Sequence, residues 1–327
     1  MSACRAHRAV LLAALCANAL LPRAGVHAQD AAATSGNPNP HEDWELAIPG
    51  DVLADAPDRP ISMFDVVRTA MEPAYIGYPI GLAGLPPLIF ESNVVAHFVV
   101  HRPRWLFAVV LTPKIIVRMF QGASAPVKSP SYMPRITAYF WFQQTVHKTP
   151  TLYASLMLSH HSNGQQLSFF DDDDKVRYDG GSFSTNYLEA SLYLAGSARR
   201  LFGWSALSFE WHPGINMDPE LRGRYGLMRV HFASTVLANL PLQGQLNVRV
   251  SAILDRFEHT AGDGLMRHLE RFPISVRYTI QPPGMELGLY VGYYLGHDYY
   301  NIYFDKIVHS VQVGISGAVA PSLLERN

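Results

Sequence analysis

From about residue 73 onward the chain alternates apolar and polar residues, segment after segment. After residue 28 no apolar run reaches the ~18 residues that a membrane helix needs. Side chains of a strand point alternately to its two faces, so this period of two specifies strands with two chemically different sides. Residues 244–256 put Leu246, Val248, Val250, Ala252 and Leu254 on one face, against Asn247, Arg249, Ser251 and Asp255 on the other. Residues 306–319 set Ile307, Val311, Val313, Ile315 and Val319 against Ser310, Gln312 and Ser316. A hydrophobic content of 48% without helical spans leaves two architectures: a soluble sandwich with one face in a core, or a closed barrel whose apolar face meets lipid.

The connections favour the barrel. Strands are expected near 73–82, 90–101, 104–118, 134–146, 151–162, 184–197, 203–212, 225–236, 244–256, 271–281, 284–296 and 306–319, an even number as single-chain outer-membrane barrels have. Turns after even-numbered strands are short, as at Arg102-Pro103 and Pro282-Pro283-Gly284. Those after odd-numbered strands are mostly longer, as at 163–183 and 257–270. Short turns at the periplasmic end and long loops outside the cell are the barrel pattern. The expected fold class is therefore all-β, a twelve-stranded antiparallel transmembrane β-barrel over 73–327 in the bacterial outer membrane. Tyr290, Tyr293, Tyr294, Tyr299 and Tyr300 are candidates for an aromatic girdle; scattered core aromatics are the alternative.

The N-terminal 28 residues read as a signal peptide: Arg5, His7 and Arg8, then an apolar run from Ala9 to Leu21, then Val26-His27-Ala28. Both cysteines, Cys4 and Cys16, lie within it, so the mature chain carries neither disulfide nor thiol chemistry. Residues 29–72 form an N-terminal periplasmic segment rich in Ala, Asn, Asp and Pro, with a turn or two of helix expected over Asp65 to Met71. A net charge of -1 gives no reason to expect a nucleic-acid partner.

Chemistry concentrates at His160-His161-Ser162-Asn163-Gly164 and at Asn186. His160 and Ser162 fall on one face, the face of Leu158, Leu156, Ala154 and Leu152. Asn186 heads the next strand on the face of Leu188, Ala190, Leu192 and Leu194. Three polar groups thus extend an apolar stripe at the outer rim. A serine hydroxyl becomes a nucleophile when a base takes its proton, and the base needs a third group to fix its tautomer. Ser162, His160 and Asn186 are the candidates for those roles. His161 falls on the lumenal face. No histidine pair has the His-Glu-x-x-His zinc spacing, and neither a Gly-x-Ser-x-Gly elbow nor a phosphate-binding glycine loop is present.

These residues resemble outer membrane phospholipase A, a family of twelve-stranded barrels with a His-x-Ser-Asn-Gly motif and an asparagine at the start of the following strand. His160, Ser162, Asn163, Gly164 and Asn186 match it. Ser124-Ala125-Pro126, with Tyr132 and Pro134 beyond, resembles the family's Ser-Ser-Pro loop and Tyr-x-Pro. The resemblance spans roughly 73–319 and is specific in 124–134 and 160–188. It implies a Ca²⁺-dependent phospholipase A that cleaves phospholipid acyl esters at both glycerol positions in the outer leaflet. By position it places calcium ligands at Ser124, Ser182 and the carbonyl of Gln165, and it implies a homodimer.

The chain also departs from the family. Gln165 replaces the arginine that follows the motif glycine, and Pro113 stands where the family's dimer uses a glutamine, which argues against dimer-gated activation of that kind. The loop 166–181 is longer and holds Asp171-Asp172-Asp173-Asp174. That run is either a solvated acidic loop, or a second calcium site or cation-bridged contact with lipopolysaccharide. The alternatives to the hydrolase are a non-catalytic outer-membrane barrel, pore or adhesin, and a lipid A deacylase using the same three residues.

Overall fold

The computed structural model describes residues 61–317, except 103, 125, 144, 147–150, 199–200, 240–242, 256, 258–269, 283–284 and 286. The chain divides into two units, Met1–Ala56 and Pro57–Asn327, and all described residues belong to the second. The expected signal peptide over 1–28, most of the 29–72 segment and residues 318–327 lie outside the described residues.

Twelve antiparallel strands close on themselves. They are β1 Tyr75–Ala83, β2 Leu88–Val95 continued by Phe98–Val100, β3 Phe107–Thr112 continued by Lys114–Phe120, and β4 Ser131–Tyr132 continued by Arg135–Trp141. Then follow β5 Thr151–Ser162, β6 Ser184–Ala198, β7 Leu201–Trp211, β8 Met228–Asn239, β9 Gln243–Ile253, β10 Ile274–Gln281, β11 Leu287–His297 and β12 Ile307–Gly317. β12 pairs with β1 from His309↔Ala83 to Ser316↔Tyr75 and so completes the ring. A bilayer favours such closure, because an open sheet edge would leave N–H groups unpaired in lipid; the β1–β2 seam of the ring is short, from Tyr75↔Asn93 to Gly77↔Glu91.

Two of the three interruptions sit at proline, which has no N–H to give the ladder. Pro113 breaks β3, and its carbonyl accepts from the Ala96 N–H at 3.3 Å. Met133-Pro134 breaks β4, and the Pro134 carbonyl accepts from the His160 N–H at 3.0 Å. β4 also ends at Trp141, short of its expected end at 146. Thr145–Val146 pairs instead with Ile61–Ser62 as a separate ribbon, Ile61↔Val146 and Ser62↔Thr145.

The outward face is an apolar belt. Ile76, Tyr78, Ile80, Leu152, Leu156, Leu158, Leu192, Leu194, Leu207, Phe209, Leu289, Val291, Val313 and Ile315 are all exposed. Among the described residues no helix is long and apolar enough to cross a membrane. In water such a belt would be a large aggregation surface; in lipid it is the anchoring surface. The protein is an outer-membrane β-barrel.

The lumen is polar and ion-paired, around a cavity of about 510 Å³. Arg118 bridges Glu91 at 2.7 Å and Asp298 at 2.6 Å, and the hydroxyls of Tyr75 and Tyr299 donate to Glu91 at 2.8 and 2.7 Å. Tyr290 and Tyr300 are buried too. The girdle expectation is therefore corrected for Tyr290, Tyr294, Tyr299 and Tyr300, where the core alternative holds, while Tyr293 keeps the outward phase of Leu289 and Val291. Leu287, Leu289 and Val291 take the outward positions of β11, so Tyr290 and Tyr294 fall inside, while Tyr299 and Tyr300 follow the strand in a loop that turns into the barrel.

Each end of the lumen carries its own apolar cluster. At one, α1 (Met63–Thr69), capped by Ser62 accepting from the Phe64 N–H at 3.2 Å, buries Met63, Val66 and Val67 against Val110, Trp141, Tyr153 and Phe202. Glu72, just beyond α1, receives Lys114 at 2.8 Å and Arg135 at 3.3 Å. Burial alone would raise the Glu72 carboxyl, but Lys114 and Arg135 outweigh it and hold it at about 2. At the long-loop end Phe169, Phe183, Leu221, Tyr303 and Phe304 pack under the loops that carry the candidate site.

Candidate active site

β5 and β6 run antiparallel in a register that pairs His160 with Asn186 and Ser162 with Ser184. His160, Ser162 and Asn186 are half-buried and share the outward face, while His161 and Thr185 between them are buried. His161 packs edge-on against Phe183 at 4.8 Å, on the lumenal side as expected. The strand phase read from the sequence is the one observed.

The His160 ring and the Asn186 amide meet at 2.8 Å between Nδ1 and Oδ1. Asn186 Nδ2 donates to the Ile215 carbonyl at 2.7 Å, which leaves its oxygen to face the ring. A carbonyl oxygen only accepts, so this contact places the imidazole proton on Nδ1 and leaves Nε2 as the free base. Ser162 Oγ makes no hydrogen bond to another described residue. It lies two residues from His160 on the same face, and catalytic hydrogen bonds commonly tighten only when substrate is present.

The turn after Ser162 is held by Asn163, which is almost fully buried. Its Nδ2 donates to the Gly181 carbonyl at 2.7 Å, and its Oδ1 accepts from the N–H groups of Gln165 at 3.2 Å and Phe183 at 3.1 Å. One amide therefore staples 163–165 to 181–183. Gly164 has φ +67°, in the left-handed region that favours glycine, while a Cβ there would make only an ordinary 3.4 Å contact with the Tyr132 ring, so the motif glycine answers a backbone demand. Tyr132 also pairs with Ser162 across β4 and β5, which explains why the upstream Tyr-x-Pro belongs with the motif.

Of the expected calcium ligands, Gln165 lies in the turn that the Asn163 staple holds, and Ser182 lies between Gly181 and Phe183, the residues to which it is held. Ser182 Oγ donates to Asp218 Oδ2 at 3.1 Å. Asp218, in the loop between β7 and β8, was not singled out by the sequence; its backbone N–H donates to the Ser184 carbonyl at 2.9 Å. Partial burial pushes the Asp218 carboxyl above its ordinary value, against the opposing hydrogen bond from Ser182. Ser124 is exposed in the β3–β4 loop with φ +63°, and no hydrogen bond or ion pair joins it to Gln165 or Ser182 among the described residues.

A second cluster lies in the lumen, where ligand atoms of Glu189, Glu210 and His231 fall within 4.8 Å of one another. Glu210 already meets His212 at 3.0 Å and both Arg229 and His231 at 3.3 Å, and Glu189 meets Arg249 at 3.5 Å. These acids are neutralised by their neighbours.

No protein-family model matches the chain, and no curated protein matches its sequence. Solved structures do match. Outer membrane phospholipase A from Escherichia coli aligns over 78% of this chain and 97% of that one, with a TM-score of 0.54 and 13% identity. The Salmonella typhi outer membrane phospholipase dimer with bound calcium aligns over the same shares, 78% and 97%, with a TM-score of 0.52 and 14% identity. The chain has the outer membrane phospholipase A fold. At such identity the likeness to phospholipase A fixes the course of the backbone and leaves the chemistry to be argued from this chain's own residues.

Proposed function

We propose that this protein is a Ca²⁺-dependent phospholipase A that hydrolyses acyl esters of glycerophospholipids, at both glycerol positions, in the outer leaflet of the outer membrane. The observation that carries the reading is the His160–Asn186 contact at 2.8 Å, beside Ser162, on the outward face at the long-loop rim. A water-soluble ester would gain nothing from a site aimed at hydrocarbon, whereas a phospholipid presents its ester bonds at that depth.

Ser162 Oγ attacks the ester carbonyl as His160 Nε2 takes its proton, forming an acyl-serine. His160 then gives that proton to the departing alcohol of the lysolipid. Water, deprotonated by the same nitrogen, cleaves the acyl-serine to fatty acid and free Ser162. Asn186 Oδ1 holds Nδ1–H throughout. An amide stabilises the imidazolium less than a carboxylate does but costs less to desolvate beside lipid.

Gln165 through its carbonyl, Ser182 and Asp218 suit Ca²⁺: they are hard oxygen donors, and Asp218 is a partly desolvated carboxylate with no cationic partner among the described residues. Ser124 joins the proposed set by resemblance alone. Bound there, calcium would supply positive charge to the carbonyl oxygen as it becomes an oxyanion. A homodimer and contact of Asp171–Asp174 with lipopolysaccharide through cations remain parts of the proposal. The burial of α1 in one end of the lumen speaks against an open pore.

The test is fatty-acid release from phospholipid in mixed micelles, with calcium or with chelator. Release that needs calcium and is absent in His160→Ala is expected. Conductance in planar bilayers without any lipid hydrolysis would favour the pore, and acyl loss from lipid A alone would favour the deacylase.

A further inference from the structure

The loop between β7 and β8 borders the site from the β6 side and touches it twice, through the Ile215 carbonyl on Asn186 and through Asp218 on Ser182. Its turn is tight: Gly214 has φ +76° and Asn216 φ +48°, both in the left-handed region. Arg222 folds back over this turn, its Nη2 3.7 Å from where a Cβ of Gly214 would stand, the residue next to Ile215. Arg222 is exposed, and its guanidinium makes no hydrogen bond or ion pair among the described residues. The neighbouring arginines are otherwise engaged. Arg224 lies over the Phe170 ring at 4.9 Å, and Arg229 donates to the carbonyls of Gly226 and Tyr225 in the lumen.

We infer that Arg222 binds the phosphate of the lipid substrate, so that the β7–β8 loop brackets the headgroup while Ser162 meets the ester. This rests on the hydrolase reading above. A guanidinium is a fixed fork of N–H donors that matches phosphate oxygens two at a time, and it is more weakly hydrated than an ammonium, as suits the membrane boundary. On the β7–β8 side of the site Arg222 is the exposed arginine without a protein partner among the described residues, since Arg224 and Arg229 are engaged elsewhere. The loop then serves both charges of the encounter: Asp218 faces the proposed calcium, and Arg222 faces the phosphate. The neighbouring outward surface, Leu158, Leu188, Trp211 and Ile215, is apolar and accepts the acyl chains.

The experiment compares two esters with the same acyl chains in the same micelles, a phosphatidylcholine and a neutral diacylglycerol, using the full-length protein, Arg222→Gln and Arg222→Lys. Because the pair is exposed to solvent, its loss is modest. Arg222→Gln is expected to lower kcat/KM on the phospholipid by roughly threefold to tenfold through KM, with diacylglycerol hydrolysis unchanged and partial recovery in Arg222→Lys. Equal effects on the two esters, or none on either, in a parent protein active on both, would overturn the Arg222 assignment alone. A parent protein inactive on both esters would remove the hydrolase reading and this inference with it.

Discussion

Asn186 holds two partners at once, Nδ2 on the Ile215 carbonyl and Oδ1 on His160 Nδ1, so its orientation is fixed before substrate arrives. Replacing it with Ala frees the imidazole to rotate and to adopt the wrong tautomer. Asn186→Ala is expected to lower kcat by roughly 10²-fold with little change in KM, as loss of a positioned acid–base partner does. An unchanged kcat in steady-state assays would remove Asn186 from the mechanism. Asp218 makes a prediction in pH. Partial burial pushes its carboxyl up, so it takes a proton at higher pH than an ordinary aspartate. Calcium needs the ionised form. Apparent calcium affinity should therefore fall as pH drops through that raised value, and Asp218→Asn should bind calcium weakly at every pH; calcium titrations of activity from pH 8 to 5 would show both.

At the scale of elements, the strands were legible because lipid and lumen impose opposite demands on successive residues. β5 and β6 match their expected spans almost to the residue, and with them the phase that puts His160, Ser162 and Asn186 outward. Neither glycine nor proline falls between Trp141 and Pro150 to mark the end of β4, so the sequence extends it to 146, whereas its pairing with β5 stops at Trp141. The tyrosines of 290–300 divide between the two readings the sequence allows, Tyr293 outward and the other four inward, because aromatic clusters look alike in a girdle and in a lumen and only register separates them. The contributions of Asp218 and Ile215 were out of reach. Both come from a loop some 30 residues along the chain from β6's start, and no local pattern reports which strand end such a loop covers. The Asn163 staple is testable at this scale. Asn163→Ala leaves the Gly181 carbonyl and two N–H groups without their partner, at a cost of about 1–3 kcal/mol each where burial persists. It should raise the calcium needed for half-maximal activity while the barrel still folds, as judged by its heat-modifiable mobility on gels.

For the whole molecule, an apolar belt outside and an ion-paired interior divide the tasks of anchoring and rigidity. α1 and Glu72 tie the chain preceding β1 into that interior. Glu72 is held at about 2, below its ordinary 4.5, so its contribution to stability is complete above pH 4.5 and is lost as pH falls toward 2. The unfolding midpoint of the parent protein in urea should decline over that window, and Glu72→Gln should flatten the decline at a lower starting stability. Parallel curves for the two proteins would show that Glu72 is no anchor.

Whether Ser162 is an activated nucleophile can be read without any assumption about the natural lipid. A long-chain alkyl sulfonyl fluoride should modify the folded protein once, at Ser162, by peptide mass spectrometry, with labelling slowed at least tenfold in His160→Ala. Labelling spread over several serines, or at the same rate without His160, would contradict the account.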